Sequence, residues 1–118
     1  MEESIGTEQQ ARAIILAAQN DAFRLTGVGG QVTMTASMLE LGSTIVKEIT
    51  KAVRDFQDFN ENNDPHGEHD FGVVEVSKGR KFYFKIDYYN DSYEHRSADP
   101  TNTKITNRVM TIAPVRDY

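Results

Sequence analysis

The sequence predicts a single α+β domain in which two amphipathic helices pack on one face of a small, mainly antiparallel sheet, in the order α-β-α-β-β-β. Three observations carry this expectation. Apolar residues recur at three- and four-residue spacing in two stretches of the first half, strand-forming residues dominate the second half, and a Lys78-Gly79 pair between two strand-like runs marks a hairpin. Divided in two, a chain of 118 residues would leave pieces too small to bury a good core, so one domain is expected over residues 7–118, after a flexible segment 1–6.

The first helix is expected to begin at Thr7, which with Gln10 matches a capping box, and to stop at Thr26-Gly27, where glycine can take the left-handed cap. Ala11, Ile14, Ile15, Ala18, Ala22 and Leu25 form its apolar stripe. Asn20, Asp21 and Arg24 sit at the polar edge, with Asp21 and Arg24 spaced to pair. Gln31 to Thr35 reads as a short edge strand with Val32 and Met34 on one face. Ser43 is the expected N-cap of a second helix reaching Phe59, with Ile45, Val46, Ile49, Val53 and Phe56 inward and Lys47, Lys51, Arg54 and Asp55 outward. Residues 58–64, rich in Asn and Asp, form a loop.

Phe71 to Ser77 and Arg80 to Tyr89 are expected to pair through a two-residue turn at Lys78-Gly79, placing Val73 opposite Phe84, Phe71 opposite Ile86 and Asp70 opposite Asp87. That register puts Phe71, Val73, Phe82, Phe84 and Ile86 under the helices. A three-residue turn would move every pairing by one and remove the Asp70–Asp87 pair. A last strand follows over residues 105–113.

Composition narrows the chemistry. The chain has no cysteine, which excludes disulfides, thiolate catalysis and Cys-based metal sites. A net charge of −5 argues against nucleic-acid phosphates and anionic membranes as partners and leaves a protein surface as the expected one. The acidic N-terminus and the shortness of every apolar run point to a cytoplasmic protein.

Asn20-Asp21 with Arg24, Asn63-Asp64-Pro65, the block Gly67-Glu68-His69-Asp70-Phe71-Gly72, Lys85-Ile86-Asp87-Tyr88-Tyr89 and Arg108-Val109-Met110-Thr111-Ile112 together give a pattern running from about Asn20 to Tyr118. It resembles the bacterial family named domain of unknown function 3768. The resemblance implies a short proteobacterial protein, often carried on plasmids and other mobile elements, and it brings no established activity. His66 stands where that family commonly has tyrosine, so the resemblance implies no essential role for it.

Three site chemistries are compatible with the segment from Asp64 to Gly72. His66-x-x-His69 with Asp64, Glu68 and Asp70 offers metal-ligand types, but in a loop and without a helical HExxH spacing, so neither metal nor cofactor is expected. His69 with Asp70, Asp87 and Lys85 could serve as an acid–base set; the plainer alternative has Lys85 and Asp87 as a solvated ion pair and His69 holding the loop. Glu68, Tyr83, Tyr88, Tyr89, Arg24 and Arg108 are the candidate binding residues, with Tyr93, Lys85 and Arg96 adding aromatic and cationic character around one hairpin end. The expected function is binding, as a small accessory or regulatory protein. Its setting, mobile elements or phage and counter-defence, comes from the resemblance alone. The alternative is a small hydrolase or nuclease-like enzyme using His69, Asp70, Asp87 and Lys85.

Overall fold

The short strand Gly30–Met34 (β1) runs parallel to the last strand, Asn107–Pro114 (β4), and joins it at the edge of a four-stranded sheet. Gly30 makes this junction possible, because a Cβ there would lie 1.8 Å from the Arg108 carbonyl oxygen. The computed structural model describes residues 2–118, with side chains from Thr7 onward. Strand order is β1-β4-β3-β2, with Phe71–Val76 (β2) and Arg80–Tyr89 (β3) antiparallel to each other and β3 antiparallel to β4. The α+β expectation is met: helices Glu2–Thr26 (α1) and Ser43–Asp55 (α3) share one buried cluster against one face of the sheet.

The hairpin register differs from the expected one. Val76 pairs with Arg80 and Phe71 with Lys85, so Ser77-Lys78-Gly79 is a three-residue connection with Lys78 and Gly79 both at positive φ. The cause lies in α3: the Ser77 N–H and hydroxyl both donate to the Glu48 carboxylate at 3.0 Å, which withdraws Ser77 from the strand. The one-residue shift exchanges the faces of β2. Val74 and Val76 enter the core, Phe71 and Val73 turn to the opposite face, and Asp70 stands beside Ile86 rather than Asp87. Gly72 then points under the helices, where a Cβ would meet the Phe84 and Phe56 rings at 2.5 and 2.7 Å.

On α3 the reading of the periodicity holds. Ile49 and Val53 are buried, Ile45 and Phe56 pack beside them, and Lys47, Lys51, Arg54 and Asp55 are exposed. The helix ends at Asp55 rather than Phe59, and the chain then turns so that Phe56 and Phe59 meet Phe84 edge-on. The N-cap position is Gly42, with no side-chain cap, and Ser43 is the first helical residue. A short helix, Ala36–Leu39 (α2), which no periodicity signalled, drops Met38 into the core.

α1 reverses its expected orientation. It begins before Thr7, which lies in its second turn, and it ends as expected at Thr26 with Gly27 in the left-handed cap. The flexible segment expected over residues 1–6 falls on side chains outside the described residues. Among the described residues of α1, the buried ones are Leu16, Ala17, Asn20, Phe23 and Arg24, at i, i+1, i+4, i+7 and i+8. Ala11, Ile14, Ile15, Ala18, Ala22 and Leu25 face solvent instead, with Ile14 69%, Ile15 47% and Leu25 59% exposed. The stripe is helical, as its spacing says, but the side that enters the protein is the one carrying Asn20 and Arg24.

Candidate functional site

Asn20 and Arg24, one turn apart on α1, organise two connected polar clusters. Asn20 is fully buried. Its amide donates to the Glu68 carbonyl at 2.9 Å and to the Tyr88 hydroxyl at 2.8 Å, and its side-chain oxygen accepts from Arg108 Nε at 2.7 Å. Arg108, also buried, donates further to Gln19 at 2.9 Å and lies 5.2 Å over the Tyr88 ring. Such a group would be costly to bury without partners; here each polar end has one. Burial holds Arg108 below the usual guanidinium range and pushes Tyr88 up to about 12.

Arg24 closes the second cluster. Its Nε and Nη2 donate to the carbonyls of Val53 and Phe56, at 3.0 and 2.9 Å, which satisfies backbone acceptors at the end of α3. Nη1 pairs with Asp21 at 3.0 Å, as the spacing of the two residues predicts. The guanidinium also lies 5.1 Å over Phe59 and 5.3 Å over Phe84. Asp21 then reaches His69 Nδ1 at 3.0 Å. A carboxylate only accepts, so this nitrogen carries the proton.

His69 sits at φ +58, a left-handed conformation uncommon for a side chain other than glycine, asparagine or aspartate. Three contacts hold it there. Its ring stacks on Phe59 with centroids 3.9 Å apart and planes 3° from parallel, its N–H donates to the Asp64 carboxylate, and its Nε2 stands 3.8 Å from the same carboxylate. Asp64 also accepts from the Glu68 N–H at 3.0 Å. The segment from Asp64 to Asp70 is thereby latched to α1 through Asp21 and Asn20 and to the chain after α3 through Phe59.

The residues of the expected acid–base set are not brought together. His69 belongs to the helix-covered side of the sheet, since Phe59 beneath it packs on Phe84. Lys85 and Asp87 alternate with the buried Phe84 and Ile86, so they project from the other side, where they form an ion pair at 3.7 Å. Asp70 contributes its carbonyl to Ile86 N–H. Burial, aided by the Asp64 charge, pushes its carboxyl up; burial and then the Asp70 charge do the same for Glu68. Asp21 holds one ring nitrogen of His69, while Asp64 faces the other at 3.8 Å, beyond hydrogen-bond length.

The candidate binding residues divide similarly. Arg24, Arg108 and Tyr88 are internal supports. Tyr83 is covered on the opposite sheet face by Phe71 and by Tyr118, whose ring lies 5.0 Å away edge-on. Tyr89 forms a β-bridge with Arg96. Alternation along β3 therefore sends Tyr83 and Tyr89 to one face and Tyr88 to the other, and no single aromatic surface results. What the sequence reading missed is Asn20 as the hub. Its signal was present in the recurrence of polar residues at positions 20 and 24 on a helix whose remaining periodic residues could not all face inward.

Beside His69 the surface opens into a depression of about 700 Å³, bordered by Asp21, Leu25, Arg54, Phe56, Gln57 and Phe59. Leu25 belongs to the exposed stripe of α1, so that stripe runs continuously to the rim of this depression. Among the described residues no helix is long and apolar enough to cross a membrane. The model of a protein family, described as protein of unknown function (DUF3768), matches residues 34–117; α1, with Asn20, Asp21 and Arg24, precedes the matched segment. No curated protein and no solved structure matches the chain.

Proposed function

For a chain that belongs to the family described as protein of unknown function (DUF3768), we propose a role in binding rather than catalysis: a small cytoplasmic accessory or regulatory module that engages another protein. The observation that carries this reading is the inverted α1, whose mixed side, with Asn20 and Arg24, is consumed internally while six apolar side chains among the described residues face outward. Exposed apolar groups gathered on one face mark an interaction surface, whereas single scattered ones need no explanation. Ile14, Ile15 and Leu25 supply the bulk, and Ala11, Ala18 and Ala22 allow close approach of a partner backbone. A setting among mobile elements or phage, acting against a host defence, belongs to the same proposal and has its support in the family resemblance.

Lys85 and Asp87 lie across the sheet from His69, which supports the binding reading over the enzyme one. The two readings separate experimentally through affinity capture from the native host, with Ile15→Asp and His69→Ala as paired probes. Capture of a stoichiometric protein by the wild type and by His69→Ala, lost in Ile15→Asp, is the expected result. Capture that survives Ile15→Asp, or none at all, overturns the assignment to α1.

A further inference from the structure

We propose that α1 is a hinged strap, which leaves its groove as one unit by local unfolding, pivoting at residues 27–29, while β1 and the rest of the fold stay in place. The position of the core comes first. The buried cluster under the helices takes one residue, Phe23, from the described part of α1. Its other members run from Met38 to Ile112 and so fall within residues 34–117, the family-matched segment. The partly buried side chains packed against that cluster, from Met34 to Tyr88, lie there too. Leu16 and Ala17 are buried outside it. Helix α3 and the sheet therefore keep their core when α1 departs, apart from the place of Phe23.

Polar hooks do much of the remaining holding. Arg12 pairs with Asp99, Gln19 donates to the Thr101 carbonyl at 2.8 Å, Asn20 to the Glu68 carbonyl, and Arg24 to the carbonyls of Val53 and Phe56, while Asp21 meets His69. Once the groove opens, water takes over each of these groups, so each bond adds little to the cost of opening although it decides where the helix sits. A substitution inside the closed groove differs, because there the orphaned partner stays dry.

The connection to β1 supplies the pivot. Gly27 and Gly29 are both at positive φ, and a Cβ on either would meet nothing within 4 Å. Val28 between them is 78% exposed, and its N–H is held by the Thr26 hydroxyl, within the helix cap itself. Beyond this point the chain is pinned. The Arg108 N–H donates to the Gly29 carbonyl at 3.0 Å, and Gly30 opens the parallel pairing with β4. Two glycines next to a fixed strand let the helix swing without straining a side chain. Opening separates Asp21 from His69 and uncovers Arg108 and the Tyr88 hydroxyl, the groups that receive Asn20. The strap is independent of what the outward face of α1 engages, so its failure leaves the binding reading untouched.

Native-state hydrogen exchange of the full chain, followed amide by amide by NMR at low denaturant, tests the strap. The amides of residues 16–24 should exchange through one shared opening, at least about tenfold faster than the slowest amides of β3 and β4 and with a shallower denaturant slope, because less surface is exposed. Val76→Ala in the core of the body weakens the open and closed forms alike. It should speed the β3 and β4 amides several-fold and leave those of residues 16–24 in place. Exchange of both sets on one slope, sped equally by Val76→Ala, overturns the proposal. So does exchange of residues 16–24 one after another from the N-terminal end with no shared opening, which is fraying. Should the variant not fold, the two wild-type slopes decide by themselves.

Discussion

The two long helices cover the same face of the same sheet, yet they dock by opposite means. α3 presents Ile49 and Val53 to the core and keeps its charges outside. α1 inserts Phe23 and Leu16 together with Asn20 and Arg24, and keeps most of its aliphatic residues outside. The difference shows that an apolar stripe identifies a face able to be buried, without saying by what. Helix α1 carried two such faces: one apolar and continuous, the other mixed but able to hydrogen-bond the Glu68, Val53 and Phe56 carbonyls, the Tyr88 hydroxyl and Arg108. Buried polar groups with full sets of partners cost little, and they fix geometry that apolar contacts leave free to slide.

The comparison is broken most severely by removing the hub of α1. Asn20→Ala leaves Arg108 without its 2.7 Å acceptor and the Glu68 carbonyl without its donor, and should lower unfolding free energy by about 4 kcal/mol in denaturant titration. A loss below about 1 kcal/mol would mean that α1 is held by Leu16 and Phe23 alone. Ile49→Ala on α3 is the apolar counterpart: it opens a cavity in the buried cluster that also holds Phe84 and should cost about 3 kcal/mol by the same measurement.

How much of this was legible follows the same division. On α3 the apolar spacing and the charged residues agreed, and the core face was readable directly. The hairpin was readable as a hairpin, but its register was not, because the deciding contact comes from Glu48 on a distant helix. Strand β1 could be placed at an edge by its brevity, yet its partner, β4, lies at the far end of the sequence. His69 could be singled out by its setting among carboxylates. That its chief partners would be Asp21 and Phe59 depended on the whole packing of α1 against the chain after α3.

A pH series sharpens the polar half. The folded-state pKa values of Glu68 and Asp70 lie above their ordinary values, so ionising them weakens the fold. The penalty is complete above those raised values, fades as pH falls through them and is absent below the unfolded values. The double variant Glu68→Gln/Asp70→Asn should therefore melt above the wild type at pH 7, with the gap closing as pH falls into the ordinary carboxylate range. A gap that persists there would assign the effect to packing. At the small end, Ile15→Gln should leave monomer stability within about 0.5 kcal/mol of wild type, since its side chain already meets solvent.

The orientation of α1 itself is open to direct chemical reading, because the chain has no cysteine to interfere. Ala17 is buried and its neighbour Ala18 exposed. Single variants Ala17→Cys and Ala18→Cys, exposed to a thiol reagent in dilute solution, should label at very different rates, with Ala18→Cys reacting quickly and Ala17→Cys only on unfolding. Rapid labelling at position 17 with protection at position 18 in the monomer would contradict the inverted helix on which the account stands.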